Sequence, residues 1–439
     1  MNARLRKLLD FLAETFWLLP ALMVLSGIVL AVGLIRIDRA DAVPVSLIDS
    51  PWLYNGGGTG ARTLLGAVAS STIGVAGTVF SITIAALSLA AGQMGPRLLR
   101  NFTHDRGNQL TLGAFLGTFS YTLMVLRSVR TQSEGAFVPH LALSMSLLLA
   151  FVCVGMLVYF VGHMASRINV DTVVDLVSGD VRASIRRLTL PEPPATDRQE
   201  APAPDRPEQA WESLPGDAVA VRDARCGYLQ HLDAQGLASW ASERGTVLRL
   251  LVRPGDYVFP GAAIALMRPA VEGAAEAVRD ATALGGNRGS DEDLEFTVRQ
   301  LVEVAVRALS PGINDPHTAI AVLDRLGGAL CDVASRHLPT GITLRGGTPA
   351  LMVPAIDYDG LVDAMFHMIR QNAAGSVAVL ARLIEVLTAV AGCERRGDRL
   401  RTLRRHADLV LTDAGRDVAN DRDLADVRLR HDRFVAAAS

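Results

Sequence analysis

Four runs free of Asp, Glu, Lys and Arg lie within the first 166 residues, between Glu14 and Arg36, Arg62 and Arg97, Arg106 and Arg127, and Glu134 and Arg167. At ~1.5 Å of rise per residue, about 20 apolar residues cross a hydrocarbon core of ~30 Å. Inside lipid every backbone polar group must be satisfied within the segment, so such runs fold as helices. The expectation is an α-helical membrane domain over residues 1–166, with four transmembrane helices at about 17–35, 64–92, 109–126 and 139–163. The first run follows Arg4, Arg6 and Lys7 and precedes Ala40-Asp41-Ala42, as a cleaved leader would. Its apolar core is too long for that, and charges separate it from the small residues, so it reads as a retained span.

Four crossings return both ends of the chain to one side. Arg4, Arg6, Lys7, Arg97, Arg100, Arg106 and Arg167 flank that side, against Arg36, Arg39, Arg62, Arg127 and Arg130 on the other. The basic bias predicts a multi-pass protein of the plasma (bacterial inner) membrane with both termini cytoplasmic.

Mean hydropathy of +0.28 averages this greasy part with a charged remainder. Among 43 basic residues the only lysine is Lys7, which removes Schiff-base, biotinyl, lipoyl and phosphate-loop lysine chemistry from almost the whole chain. A net charge of −2 and 5% aromatic residues predict no nucleic-acid partner. Cys153, Cys226, Cys331 and Cys393 form no C-x-x-C pair and read as inert buried thiols.

Beyond Arg167 the chain is expected to be a cytoplasmic α+β region. Residues 167–188 have helical spacing and read as an extension of the fourth helix. Residues 189–215 carry seven prolines and read as an extended linker. Residues 216–270 hold short alternating runs around Arg253-Pro254-Gly255-Asp256 and Gly261, the spacing of a small β-barrel-sandwich-like module with tight turns. No lysine sits there, so carrier activity is not implied. Residues 271–439 read as a mainly helical domain, with helices at Asp291–Leu309, Asp315–Leu338, Asp359–Val390 and Glu394–Ala414 and a short one from Asp421.

Three sets of residues are candidate sites. Ser70, Gly74, Gly77, Ser81, Ala85, Ser88 and Gly92 form a small-residue stripe along the second span, repeated briefly by Gly113 and Gly117 in the third. Such stripes either pack helices within one subunit or line an oligomer axis. Arg97, Arg100 and Arg106 stand at the end of that span, where they would meet lipid headgroups or anions. Arg299, Arg307, Asn314, Asp315 and His317 surround the Ser310-to-Thr318 corner, either as an interhelical turn capped by Asp315 or as a ligand site. Asp357-Tyr358-Asp359 followed by His367 reads as a strand end and a helix cap with an alternative as a cation site, and the arginine-rich Glu394-to-Arg405 segment as a solvated helix face. No metal-ligand spacing, cofactor motif or catalytic motif stands out, so neither a cofactor nor an enzyme is expected.

Several segments resemble one known family: Gly77-Thr-Val-Phe-Ser-Ile-Thr-Ile-Ala-Ala-Leu-Ser-Leu-Ala, Gly95-Pro-Arg-Leu-Leu-Arg-Asn-Phe and Leu112-Gly-Ala-Phe-Leu-Gly-Thr-Phe-Ser-Tyr. So do Ile168 to Val174, Arg253-Pro-Gly-Asp-Tyr-Val, Arg299-Gln-Leu-Val and Ala308-Leu-Ser-Pro-Gly-Ile-Asn-Asp-Pro. They are similar to the bacterial predicted-membrane-protein family of unknown function, DUF2254, over nearly the whole chain. The resemblance implies an integral inner-membrane protein and brings no activity with it.

Without intramembrane carboxylates or arginines, ion-coupled transport is disfavoured. The leading expectation is a homo-oligomeric, channel-like or passive-transport protein whose cytoplasmic domain gates or assembles it. The alternative is a non-conducting sensor or scaffold whose cytoplasmic domain binds a small anionic ligand or a protein partner.

Overall fold

The computed structural model describes residues 16–40, 57–94, 105–130, 137–167, 169–191, 211–214, 216–289 and 292–438. The chain divides into two compact units, Met1–Thr172 and Val173–Ser439.

The first unit contains α1 (Leu18–Arg39), α2 (Gly58–Met94), α3 (Arg106–Ser128) and α4 (His140–Arg167), each long and apolar enough to cross a membrane. The third is the hub: half of its span window is buried, against 22% for each of the others, and it packs on all three. Glycines allow the closest of these contacts. A Cβ on Gly27 of α1 would stand 2.6 Å from the Gly117 carbonyl oxygen, and one on Gly113 would meet the Met23 sulfur at 2.4 Å. Hydroxyls that face inward find partners, because a polar group between packed helices has no water to turn to. Thr122 and Ser146 share a hydrogen bond of 3.1 Å, and the Tyr121 hydroxyl donates to the Ala142 carbonyl at 2.7 Å.

Carboxylates tie the helix ends. Asp38, at the end of α1, accepts from the Leu141 and Ala142 amides that open α4, at 3.1 and 3.0 Å. Asp105 caps α3 through the Gly107 amide at 2.9 Å and pairs with His163 of α4 at 2.6 Å. Free N–H groups at a helix start favour such an acceptor. His163 therefore joins two helices at the edge of the span.

The second unit starts within α5 (Val170–Leu188). This is a separate helix and no extension of α4: the Asn169 side chain accepts from the Asp171 amide at 2.9 Å and caps a fresh start. Its apolar face (Val173, Val174, Val177, Val181, Ile185) is buried, and Asp175 receives Arg325 at 2.9 Å.

The strands form open sheets with no closed barrel among the described residues, so the barrel-sandwich part of the expectation is not confirmed. They are β1 (Leu190–Pro191), β2 (Val219–Arg222), β3 (Gly227–Leu232), β4 (Val247–Leu250), β5 (Tyr257–Val258), β6 (Ala263–Arg268), β7 (Thr282–Gly285), β8 (Arg336–His337), β9 (Ile342–Arg345) and β10 (Thr348–Met352). Five strands run in the order β2-β6-β4-β10-β9, three as β5-β3-β7, and β1 pairs with β8. The anticipated turns are present, with Gly255 and Gly261 at φ of 98° and 75°, where glycine is favoured. Helices α6 (Ala234–Glu243) and α7 (Ala274–Ala281) share one core with the strands, built on Leu237, Leu248, Leu250, Ile264, Val278 and Leu351.

Two boundaries shift as a result. The region past residue 270 supplies β7 to β10, with β10 parallel to β4, so the helical and β parts interlock. The end of the linker is docked: Trp211 is buried against Met352, with the Arg268 guanidinium 4.9 Å from its ring centroid. Residues 192–210 lie outside the described residues.

The remaining helices are α8 (Leu294–Ala308), α9 (Pro316–Ala334), α10 (Tyr358–Asn372), α11 (Val377–Cys393), α12 (Gly397–Asp417) and α13 (Asp421–Ala437). The expected single helix over 359–390 is broken after Asn372, with Gly375 at φ 74° in the turn.

Candidate functional site

On α2 the residues that face the other helices of the subunit are Ala61, Leu65, Ala69, Thr72, Ala76, Val79 and Ala86, all buried. At ~100° per residue the small-residue stripe lies roughly half a turn away. Its members Ser70, Gly74, Gly77, Ser81, Ala85, Ser88 and Gly92 are all exposed on the subunit. A Cβ built on Gly74, Gly77 or Gly92 meets nothing within 4 Å. Packing within one subunit therefore does not account for the stripe. The exposed side chains of Ile73, Phe80, Ile82 and Ile84 flank it, leaving a shallow trough of small residues between bulky apolar ones. The Ser70 and Ser81 hydroxyls donate to the carbonyls of Gly66 and Gly77, at 2.8 and 2.9 Å, so neither donor is unsatisfied in an apolar setting.

Gly113 and Gly117 behave in the opposite way. Both are buried against Met23 and its turn of α1, which assigns them to helix packing inside the subunit. Arg106 is exposed as the first residue of α3, while Arg97 and Arg100 lie outside the described residues.

The Ser310-to-Thr318 corner is a capped turn. Asn314 adopts φ 50°, and Asp315 accepts from the His317 and Thr318 amides at 3.1 and 3.2 Å and from the Thr318 hydroxyl at 2.6 Å. The Thr318 hydroxyl and these amides hold the Asp315 carboxyl below the usual carboxylate range. Arg299 and Arg307 are paired along their own helix, with Glu295 and with Glu303 respectively, and His317 is exposed. The predicted ligand set is thus divided between a cap and two ion pairs.

Between α10 and α12 runs a polar seam that the sequence did not announce. Thr402 donates to Asp359; Asp363 accepts from Arg405 and pairs with His406, both at 2.8 Å; Arg370 pairs with Asp413. Asp357 is the cap of α10, accepting from the Gly360 amide at 2.8 Å, so neither it nor Asp359 joins His367 in a cation site. His367 instead meets Asp363 and His406, with one ligand atom from each residue lying within 4.8 Å of the others. Burial pulls the His406 pKa down to about 4 against the pull of Asp363, leaving the imidazole neutral near neutral pH. The Asp363-x-x-x-His367 spacing, one helical turn, was the readable part of this cluster. His406 comes from another helix, and only the fold brings it in.

The arginine-rich segment is not one solvated face. Arg399 is buried, stacked on Tyr358 and bonded to Glu394 at 3.2 Å and to the Val333 and Arg336 carbonyls. The thiols also depart from expectation: Cys153 is buried, but Cys226 and Cys393 are exposed, and Cys393 is hydrogen-bonded to Cys331. Burial, first, and that neighbour push the Cys331 thiol up to about 12.

A protein-family model described as predicted membrane protein (DUF2254) matches residues 13–389. The uncharacterized proteins MT1328 of Mycobacterium tuberculosis (strain CDC 1551 / Oshkosh) and Mb1321c of Mycobacterium bovis are each 32% identical over 439 residues, which is 97% of this chain and 81% of each relative. No solved structure matches the chain.

Proposed function

The chain belongs to the DUF2254 family of predicted membrane proteins, and we propose that it acts in the bacterial inner membrane as a homo-oligomer. In this reading the small-residue face of α2 meets its copies around a shared axis and gives a channel-like passive route, with the second unit as a cytoplasmic gate or assembly platform.

One observation carries the reading: the stripe that starts at Ser70 is turned away from the subunit's own packing face and left uncovered by it. Glycine and serine offer lipid tails little surface to pack on, whereas two such helix faces approach each other closely. Each serine keeps acceptor capacity for a water or a hydroxyl across the axis. The four spans carry no carboxylate or arginine near their middles, which favours passive conduction over ion-coupled transport. The arginine bias of the short flanks supports cytoplasmic termini.

The test is the assembly state and solute flux of the full chain. Purified protein in lipid nanodiscs is expected to be an oligomer, and proteoliposomes containing it to conduct. Gly77→Leu and Ser81→Leu should reduce the oligomer to monomers and abolish the flux without loss of the folded subunit. Wild-type protein that is monomeric in both detergent and nanodiscs sinks the proposal.

A further inference from the structure

Asp363 and His367 are one turn apart on α10, and His406 faces them from α12, where it is fully buried. Both imidazoles retain a buried Nδ1 atom with no hydrogen-bond partner among the described residues. A buried nitrogen without a partner costs free energy, which a bound ligand recovers. The Asp363–His406 hydrogen bond explains why those two residues face each other. It does not explain His367, which brings a ring nitrogen to the same two residues and whose Nδ1 is buried without a partner.

We propose that Asp363, His367 and His406 form a binding site for a first-row transition-metal dication. Two imidazoles with one carboxylate suit zinc, cobalt, nickel or iron, and they are the wrong donors for calcium or magnesium, which take oxygen ligands. Ligand atoms at zinc distances stand about 3.4 Å apart at tetrahedral angles, so atoms already within 4.8 Å need to close by no more than about 1.4 Å. Three protein ligands leave a fourth position for water or an exogenous anion. Arg405, which shares the Asp363 oxygen, is exposed and has solvent to move into when a cation takes that carboxylate. The metal would clamp α10 to α12 at the middle of their polar seam. The inference is independent of whether α2 associates.

The experiment uses untagged full-length protein in detergent, stripped with EDTA and titrated with Zn(II) and with Co(II), reading bound metal per chain and melting temperature. Wild type is expected to take up one ion per chain and to melt higher when loaded. His367→Ala and Asp363→Asn should each weaken binding by more than about 100-fold, the upper end of what losing an outer-shell partner costs. The EDTA-treated His367→Ala protein should stay folded and melt only a little below wild type, because it loses the ring's edge contact with His406 but no hydrogen bond at Nδ1. His431→Ala, which breaks a neighbouring His–Asp pair, and Cys393→Ser, which breaks the thiol pair, should both keep the ion. No saturable uptake by wild type, unchanged binding in His367→Ala, or loss of binding in Cys393→Ser overturns the assignment.

Discussion

Gly27 and Gly74 lack the same atom for different reasons. A methyl group at Gly27 would strike the Gly117 backbone carbonyl, which cannot rotate away, whereas one at Gly74 enters open space. Gly27→Ala should therefore destabilise the membrane unit by about 1–3 kcal/mol, the usual cost of overpacking, and Gly74→Ala should not destabilise the single subunit; thermal melting of the two variants as detergent-solubilised monomers checks both. Asp315 gives a second residue-scale expectation. Removing an N-cap acceptor costs about 1 kcal/mol, so Asp315→Ala should be less stable than wild type by that amount. Hydrogen bonds from Thr318 and His317 depress its folded pKa below the unfolded value of ~3.9. Its contribution is then complete above pH ~4 and is lost as the pH falls through the folded pKa. The gap between wild type and Asp315→Ala should accordingly close in acid, which parallel melts across that range would show.

At the level of elements, burial decides what a charge does. Arg399 and Glu394 are both enclosed where α11 gives way to α12, and the arginine also holds the Val333 and Arg336 carbonyls. Arg399→Met would strand a buried carboxylate, so a loss of about 3–5 kcal/mol is expected from chemical denaturation of the full chain. The same segment shows what a sequence can and cannot reveal. Charge-free runs, capping acids at Asp315 and Asp357, and the glycines at 255 and 261 act through neighbours in the chain, and they were legible. Arg399 looked like its exposed neighbours because the carbonyls it holds come from α9 and β8, more than sixty residues away. The stripe on α2 was visible as spacing, but which way it faces depends on α1, α3 and α4. The strands β9 and β10 escaped notice because they are short and contain Pro349 and the Gly346-Gly347 turn, and they acquire meaning only when β10 finds β4.

For the molecule as a whole, the division at Thr172 predicts separable stability. A fragment that begins at the Asn169 cap and runs to the end of the chain keeps α5, both main sheets and every helix of the second unit. It should be soluble and melt in one cooperative transition, seen by circular dichroism and size exclusion; aggregation or a broad, non-cooperative loss of signal would refute that. The parallel pairing of β10 with β4 also sets an order in time. A chain emerging from the ribosome completes β2, β4 and β6 early, yet β4 keeps a bare edge until residues 348–352 have been made. Trp211 likewise waits for Met352 to cover it. An unpaired strand edge invites pairing with the wrong chain, so the interval before β10 arrives is when the newborn protein is most open to aggregation, and truncations ending between β6 and β10 would prolong it indefinitely.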